Sequence, residues 1–335
     1  MAIESAFVFA LVALLLGVGA FKGNIASQVG DLYAPNDLRR AMAFQIFYIF
    51  INVSVIVAPL ISGTLGQKVG WHYGFGCAGV VMVLGLFIYL SGHRWLPNQT
   101  SGVRAAQTTT RDRMIREDWL CVGYLVILIP VLAVAMLTNQ QIYNAYLVWG
   151  DQRFDLRLLN NTSSWLITVD AAVSFVMLVV VAVFWKWWGA KRTEPDEITK
   201  MIIGSVFTIA GALCLYMGAL TAPAGGKISL LWPLCFELAN SIGFAHILPV
   251  SLALFSKIAP KQIGATVIGL YYLAFFIANA LVGWVGGFYS TLPTTTFWLI
   301  HAGSGAIGLI AFVAFKLAIG KRVASAPRDQ AAAVS

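Results

Sequence analysis

Lys22, Asp170 and Glu237 stand inside long apolar runs of the sequence. A charge in hydrocarbon costs roughly 2.5–3.5 kcal/mol on insertion scales, so such a residue usually faces a partner or a water-filled cavity. A lysine placed there can hold a carboxylate. A carboxylate placed there can hold an ammonium group or carry a proton. Uncharged hydrogen-bonding residues accompany them: Asn24 near Lys22, Tyr48 and Asn52 four residues apart, and Gln140, Tyr143 and Asn144 at helical spacing, reading as a polar face. Together these residues offer binding and proton exchange rather than bond-making. His72, His93, His246 and His301 form no cluster with metal-ligand spacing, and no Ser/His/Asp spacing suggests a hydrolase. The stretch from Gly17 to Gly23 lacks the Gly-Lys-Ser/Thr ending of a phosphate loop. No enzyme, cofactor or metal is expected.

The segments that must position these residues are membrane-length. Of 335 residues, 59% are hydrophobic and 11% charged, and mean hydropathy is +0.80, unlike a soluble domain. Apolar blocks of about 18–28 residues alternate with short polar breaks, each block long enough to cross about 30 Å of hydrocarbon as a helix. They lack the alternation of barrel strands, and only helices or closed barrels satisfy the backbone in lipid. An all-α membrane protein with nine spans is expected, at 5–29, 42–63, 72–92, 119–148, 164–188, 201–222, 228–256, 265–289 and 296–318. Asn139, Gln140, Gln141 and Asn144 interrupt the second half of the fourth. Cys77, Cys121, Cys214 and Cys235 lie far apart in or beside apolar runs and read as packing residues. Gly19/Gly23 and Gly283/Gly287 are small-xxx-small pairs that suit close helix contacts.

The formal charge of +8 sets topology and does not mark a nucleic-acid binder. With the loop 34–41 in the cytoplasm, Lys68, Arg153, Arg157 and Lys227 fall outside and Lys22 within the membrane, while every other Lys and Arg lies inside. This puts the C-terminus in the cytoplasm of a multi-pass protein of the inner (plasma) membrane, and Met1 outside. Met1–Ala20 lacks the basic start and small-residue cleavage site of a signal peptide. An odd number of helices preceding residue 1 is therefore expected, with a nine-span protein whose N-terminus lies outside as the alternative. The polar stretch from His93 to Asp118 reads as a cytoplasmic linker. It separates a partial N-terminal bundle of three helices (1–92) from a six-helix bundle (119–318), which a tail (319–335) follows. Many transporters join two six-helix bundles in this way, and on that plan three helices are missing at the front.

The sequence motifs resemble one family. Gly17-Val-Gly-Ala-Phe-Lys22-Gly-Asn24-Ile-Ala-Ser-Gln-Val-Gly-Asp31-Leu-Tyr33 resembles the fourth helix of the proton-dependent oligopeptide transporters, within the major facilitator superfamily. Phe44-Gln-Ile-Phe-Tyr48-Ile-Phe-Ile-Asn52-Val-Ser-Val-Ile-Val-Ala-Pro59-Leu looks like its fifth-helix signature, with Gly63-Thr-Leu-Gly66 and Gly70-Trp71-His72 following in order. Pro249 to Pro260 resembles the tenth-helix motif and the turn after it. The likeness is collinear from about residue 5 to 318 and weaker over 119–230. It implies a major facilitator-type bundle holding helices four to twelve of a twelve-helix plan. Three positions depart from the pattern. Ser54 stands where the signature has glycine. Phe244 replaces the glutamate that family members use for the peptide's amino group. Asp170 stands where an asparagine follows a Ser-Trp pair.

The resemblance implies uptake of di- and tripeptides with protons by alternating access, two bundles rocking about a midplane site. A peptide is a zwitterion, so such a site needs a cation and an anion held apart. Lys22 would meet the carboxylate; it lies roughly 15 Å from the inner end of its helix, beyond a lysine's snorkelling reach. Asp170 either faces the cavity and takes over the role vacated at Phe244, or is an interfacial helix-end carboxylate. Glu237, seven residues before Phe244 on roughly the same face, could carry the proton or pair with Lys22. Asn52 and Gln140 match family hydrogen-bonding positions, and Asn24, Tyr48 and Asn144 join them as substrate contacts. Tyr271 aligns with a tryptophan near the side-chain pocket, although aromatic packing serves as well. The partners implied are small peptides, protons and the bilayer, together with the missing N-terminal helices, without which the chain is not expected to transport. A different solute, or a non-transporting scaffold, is the alternative.

Overall fold

A computed structural model describes residues 2–31, 50–92, 114–222, 226–260 and 263–324. Tyr48 lies outside these residues. Lys22 and Asn24 are placed on the backbone, but their side chains lie outside the description.

The apolar runs become helices: α1 (Ala2–Asp31), α2 (Phe50–Lys68), α3 (Trp71–Gly92), α4 (Arg116–Ala135), α5 (Ala145–Arg153), α6 (Trp165–Gly189), α7 (Glu197–Leu220), α8 (Leu231–Ile258), α9 (Gly264–Tyr271), α10 (Leu273–Gly286) and α11 (Thr294–Ala324). Among the described residues, eight helical stretches are long and apolar enough to cross a membrane, α9 and α10 together forming one; Val8–Phe21 is a shorter apolar stretch within α1. The chain is an all-α, multi-pass membrane protein.

Its contacts divide it into two compact units, Met1–Ser54 with Gly70–Thr110, and Val55–Val69 with Arg111–Ser335. In the first, Gln28 Nε2 donates to the Tyr89 hydroxyl at 3.0 Å, tying α1 to α3. The side chains of α3 are almost all exposed and apolar, the surface a helix presents to lipid. Ser54 Oγ donates back to the Phe50 carbonyl at 2.5 Å, spending its hydroxyl inside its own helix.

In the second unit, α7 packs against α8 through small residues. Gly204, Gly211 and Gly218 recur every seven residues, so they share one face. That face lies against Gly243 and His246, then Phe236 and Asn240, then Trp232. Without a hydrophobic drive between helices in lipid, close van der Waals approach is what holds such a pair. Gly283 and Gly287 have open space where a Cβ would stand, so close packing uses other glycines. Apolar clusters fill the rest. One includes Leu128, Met201, Phe255, Tyr271 and Phe312; another includes Tyr146, Trp149, Phe236 and Trp298.

The fourth span breaks. α4 stops at Ala135, and single turns over Leu137–Gln140 and Gln141–Tyr143 lead to Asn144, whose backbone (φ −132°, ψ −110°) is not helical. Thr138, Asn139, Gln140 and Gln141 bring side chains that can compete for backbone partners, and the helix restarts only at α5.

Charges gather at helix ends. At one end Lys68 Nζ donates to Asn160 Oδ1 at 2.7 Å, and Arg157 holds Asp155 at 2.5 Å and keeps its carboxyl below the usual range. At the other, Lys257 pairs with Glu197 at 2.7 Å, Lys316 with Asp196 at 3.2 Å, and Lys200 with Glu194. Asp196 is the N-cap of α7, accepting from the Thr199 N–H at 2.7 Å. Partial burial opposes its charge, but the bonds from Thr199 and Lys316 prevail and hold its carboxyl below the ordinary value. Asp196→Ala is expected to lower unfolding stability by about 1 kcal/mol at neutral pH. A lowered carboxyl stabilises above its unfolded value, about 3.9, so the gap between variant and parent should close as pH falls below that. Thermal unfolding of both proteins in detergent across pH reads it.

Candidate functional site

Asp170 faces inward from α6, about one and a half turns from its start, at 5% exposure. Glu237 faces it from α8 at 1% exposure. The two carboxyls are close enough to interact directly. Tyr143, from the break after α4, and Ser174, one turn along α6, lie beside Asp170; Tyr146 of α5 lies beside Glu237. Ser174 Oγ is in turn 3.0 Å from Ser241 Oγ on α8. Asn240 and Gln141 are wholly buried nearby in sequence to these groups.

The constellation is under-satisfied. Both oxygens of Glu237, Oδ1 of Asp170, the Tyr146 hydroxyl, and the amide heads of Asn240 and Gln141 complete no hydrogen bond of good geometry. A buried polar group left so costs about 1–3 kcal/mol, and such sites persist where function uses them. Among the described residues, the second unit's ion pairs lie at helix ends, so neither carboxyl has a basic partner there. Two acids and several hydroxyl and amide groups can bind an ammonium group or exchange a proton.

Local structure fixes the helix that carries Asp170. Pro59 has no N–H to donate, and the chain widens there into one π-turn over Pro59–Gly63. Thr168 Oγ1, two residues before Asp170, donates to the Ile56 carbonyl at 2.9 Å. Trp165 Nε1 donates to Thr64 Oγ1 at 2.8 Å, and Gln67 Nε2 to Ser163 Oγ at 2.6 Å. A Cβ on Gly63 would come within 2.4 Å of Ser164 Oγ, so only glycine lets α2 approach the start of α6 this closely. The C-terminal half of α2 thus clamps the start of α6.

Of the residues singled out in the sequence, the structure brings together Asp170, Glu237 and Tyr143. Asp170 is buried within the protein. Gln140 donates to Asn139 Oδ1 at 3.0 Å. Asn144 Nδ2 donates to the Val282 carbonyl at 3.3 Å and joins the break to α10. Tyr271 is 2% exposed; its hydroxyl donates to the Leu248 carbonyl at 3.2 Å, beside Ser251. Asn52 lies on α2 within the first unit. His246 has both ring nitrogens engaged, Nε2 accepting from Trp185 Nε1 at 3.1 Å and Nδ1 facing the Ile242 carbonyl at 2.8 Å. Tyr146, Ser174, Asn240 and Ser241 were missed as site residues. Their signal was spacing: Ser174 follows Asp170 by four, and Asn240 and Ser241 follow Glu237 by three and four, so they share its face.

Known proteins share this fold. Residues 3–115 match the family model described as PTR2, the POT family. An uncharacterized transporter, YclF, of Bacillus subtilis is 28% identical over 92% of this chain and 72% of its own length. The peptide transporter YePEPT of Yersinia enterocolitica is 27% identical over 84% of this chain and 68% of its own. This chain is similar to the POT peptide transporters. A crystal structure of peptide transporter POT in complex with sulfate covers 96% of it, and 75% of that chain, with a TM-score of 0.81 at 22% identity. A POT family transporter in complex with 5-aminolevulinic acid covers 92% of it, and 74% of that chain, with a TM-score of 0.72 at 19% identity. The POT fold therefore extends through the stretch 119–230 where the sequence likeness is weak.

Proposed function

We propose that this protein takes up di- and tripeptides together with protons by alternating access, and that Asp170 and Glu237 form its acidic half-site. The observation that carries this reading is the buried carboxyl pair, which has no basic partner among the described residues, on a POT-like fold; the resemblance implies that Phe244 stands where the family has its acid. Two neighbouring carboxylates in low dielectric repel, and a proton on one of them relieves it. An arriving peptide ammonium offers the same relief. Proton and amine then compete for, or succeed one another at, the same oxygens, which is how binding of one is coupled to release of the other. Tyr143 and Tyr146 supply hydroxyls to whichever form is present. Lys22 takes the peptide carboxylate, with Asn24, Tyr48 and Asn52 as its hydrogen-bonding companions. Gln140, on the broken span, adds a further hydrogen bond, while Asn144 and Tyr271 shape the site by holding helices. The division into 1–92, a cytoplasmic linker 93–118, a bundle 119–318 and a cytoplasmic tail from 319 goes with this reading, as does the inner membrane.

Competition decides the substrate class. Uptake of a labelled dipeptide by cells expressing the full-length product of the gene should fall in the presence of unlabelled di- and tripeptides. It should persist with sugars and simple organic anions. Competition by sugars or organic anions alone would assign another solute, and no uptake of any would leave a scaffold.

A further inference from the structure

The end of α6 reads Phe184-Trp-Lys186-Trp-Trp-Gly-Ala-Lys191-Arg192, a run that peptide and proton binding leave unused. Rings with an apolar body and a polar edge settle at the membrane–water boundary. Here Phe184 packs on Trp185, Trp187 and Trp188 with centroids 5.0, 6.3 and 5.8 Å away. Trp187 is 52% exposed, and Val183 beside it 61%. Cations rest on the ring faces: Lys191 Nζ is 4.5 Å from the centre of Trp187, and Arg192 Cζ is 4.8 Å from that of Trp188. Such contacts hold a side chain in place without neutralising it.

Among the described residues, the carboxylates between α6 and the first turn of α7 are already taken. Glu194 binds Lys200, Glu197 binds Lys257 and Asp196 binds Lys316. Lys186, Lys191 and Arg192 have no carboxylate among the described residues. The result is a fixed, net-positive ledge set on an apolar aromatic wall. We propose that this ledge seats the headgroup of an anionic phospholipid, its phosphate against Lys191 and Arg192 and its acyl chains along Trp187, Phe184 and Val183. A zwitterionic lipid brings its own ammonium to the ledge and cancels most of the attraction. A lipid with net negative charge does not. A free phosphate would meet the cations but leave the aromatic wall uncovered.

The purified full-length protein tests this by native mass spectrometry and thermal unfolding in detergent, with phosphatidylglycerol, phosphatidylcholine of the same chains, or inorganic phosphate added. Phosphatidylglycerol is expected to be retained over phosphatidylcholine by about fivefold for each cation engaged, and to raise the unfolding temperature where phosphatidylcholine does not. The variant Lys191→Gln/Arg192→Gln, altered at exposed positions, should lose this preference while unfolding like the parent without lipid. Arg192→Gln alone, a milder change, should lose about half of it on a logarithmic scale. Equal retention of the two lipids, a preference that survives in the variants, or an equal effect of inorganic phosphate would overturn the assignment.

Discussion

Glu237→Gln is expected to cut proton-driven dipeptide uptake at least tenfold and to flatten its dependence on external pH. The substitution keeps the shape and volume of a fully buried side chain on α8, so it removes charge and titration rather than packing. A charged hydrogen bond in such a place is worth about 1.5–3 kcal/mol, which is roughly 10- to 150-fold in a rate if it is made only on the way across. The sign with pH follows from the chemistry. The parent must load a proton from outside, so its uptake rises as external pH falls; a glutamine loads none, and the slope disappears. Asp170→Asn should do the same. Because the carboxyls act on one another, the double variant should be little worse than either single one. If both were merely packed acids, the isosteric amides would transport normally at every pH, and uptake assays with protein levels checked by immunoblot distinguish these results.

Gly243→Ala, a change of one methyl group, is expected to destabilise the protein by about 1–3 kcal/mol. An added Cβ would stand 2.6 Å from Thr208 Oγ1 and 2.9 Å from the Gly204 carbonyl oxygen. The second of these is backbone and cannot swing aside, so α7 and α8 must part. Their separation would carry Glu237 with it, a little under two turns away on α8. Ser251→Ala on the same helix removes a side-chain bond to the Leu248 carbonyl at 3.0 Å and a contact with the Tyr271 hydroxyl at 3.2 Å without crowding a neighbour, and serves as the control, costing about 1 kcal/mol. Thermal unfolding in detergent reads both, and an alanine at 243 that unfolds with the parent would mean that the helices are not in contact there.

The helices were legible because bilayer thickness imposes a length and apolar composition that a sequence cannot hide. The broken fourth span was legible for the opposite reason: Asn139, Gln140, Gln141 and Asn144 contradict the run around them. Asp170 and Glu237 stood out singly as charges in oil. Their meeting did not, because residues 67 positions apart on different helices carry no local sign of which faces oppose. The α7 glycines at intervals of seven were readable but overlooked beside the more familiar four-residue spacing. The clamp from α2 onto α6 depends on a π-turn at Pro59, a change of helical register that a proline permits but does not by itself specify. Gln140, Asn144 and Tyr271 show how far spacing alone reaches: each is polar or aromatic at a plausible position, and each is engaged by a neighbour, Asn139, Val282 or Leu248, that only the packing supplies.

The most direct measurement is internal acidification of proteoliposomes that hold the full-length protein and a trapped pH-sensitive dye, when an inward dipeptide gradient is applied at neutral pH. The parent should acidify the lumen in step with dipeptide entry. Asp170→Asn and Glu237→Gln should abolish that signal while labelled dipeptide still exchanges across the membrane. Acidification of parental size in both variants would contradict a proton-bearing role for this carboxyl pair.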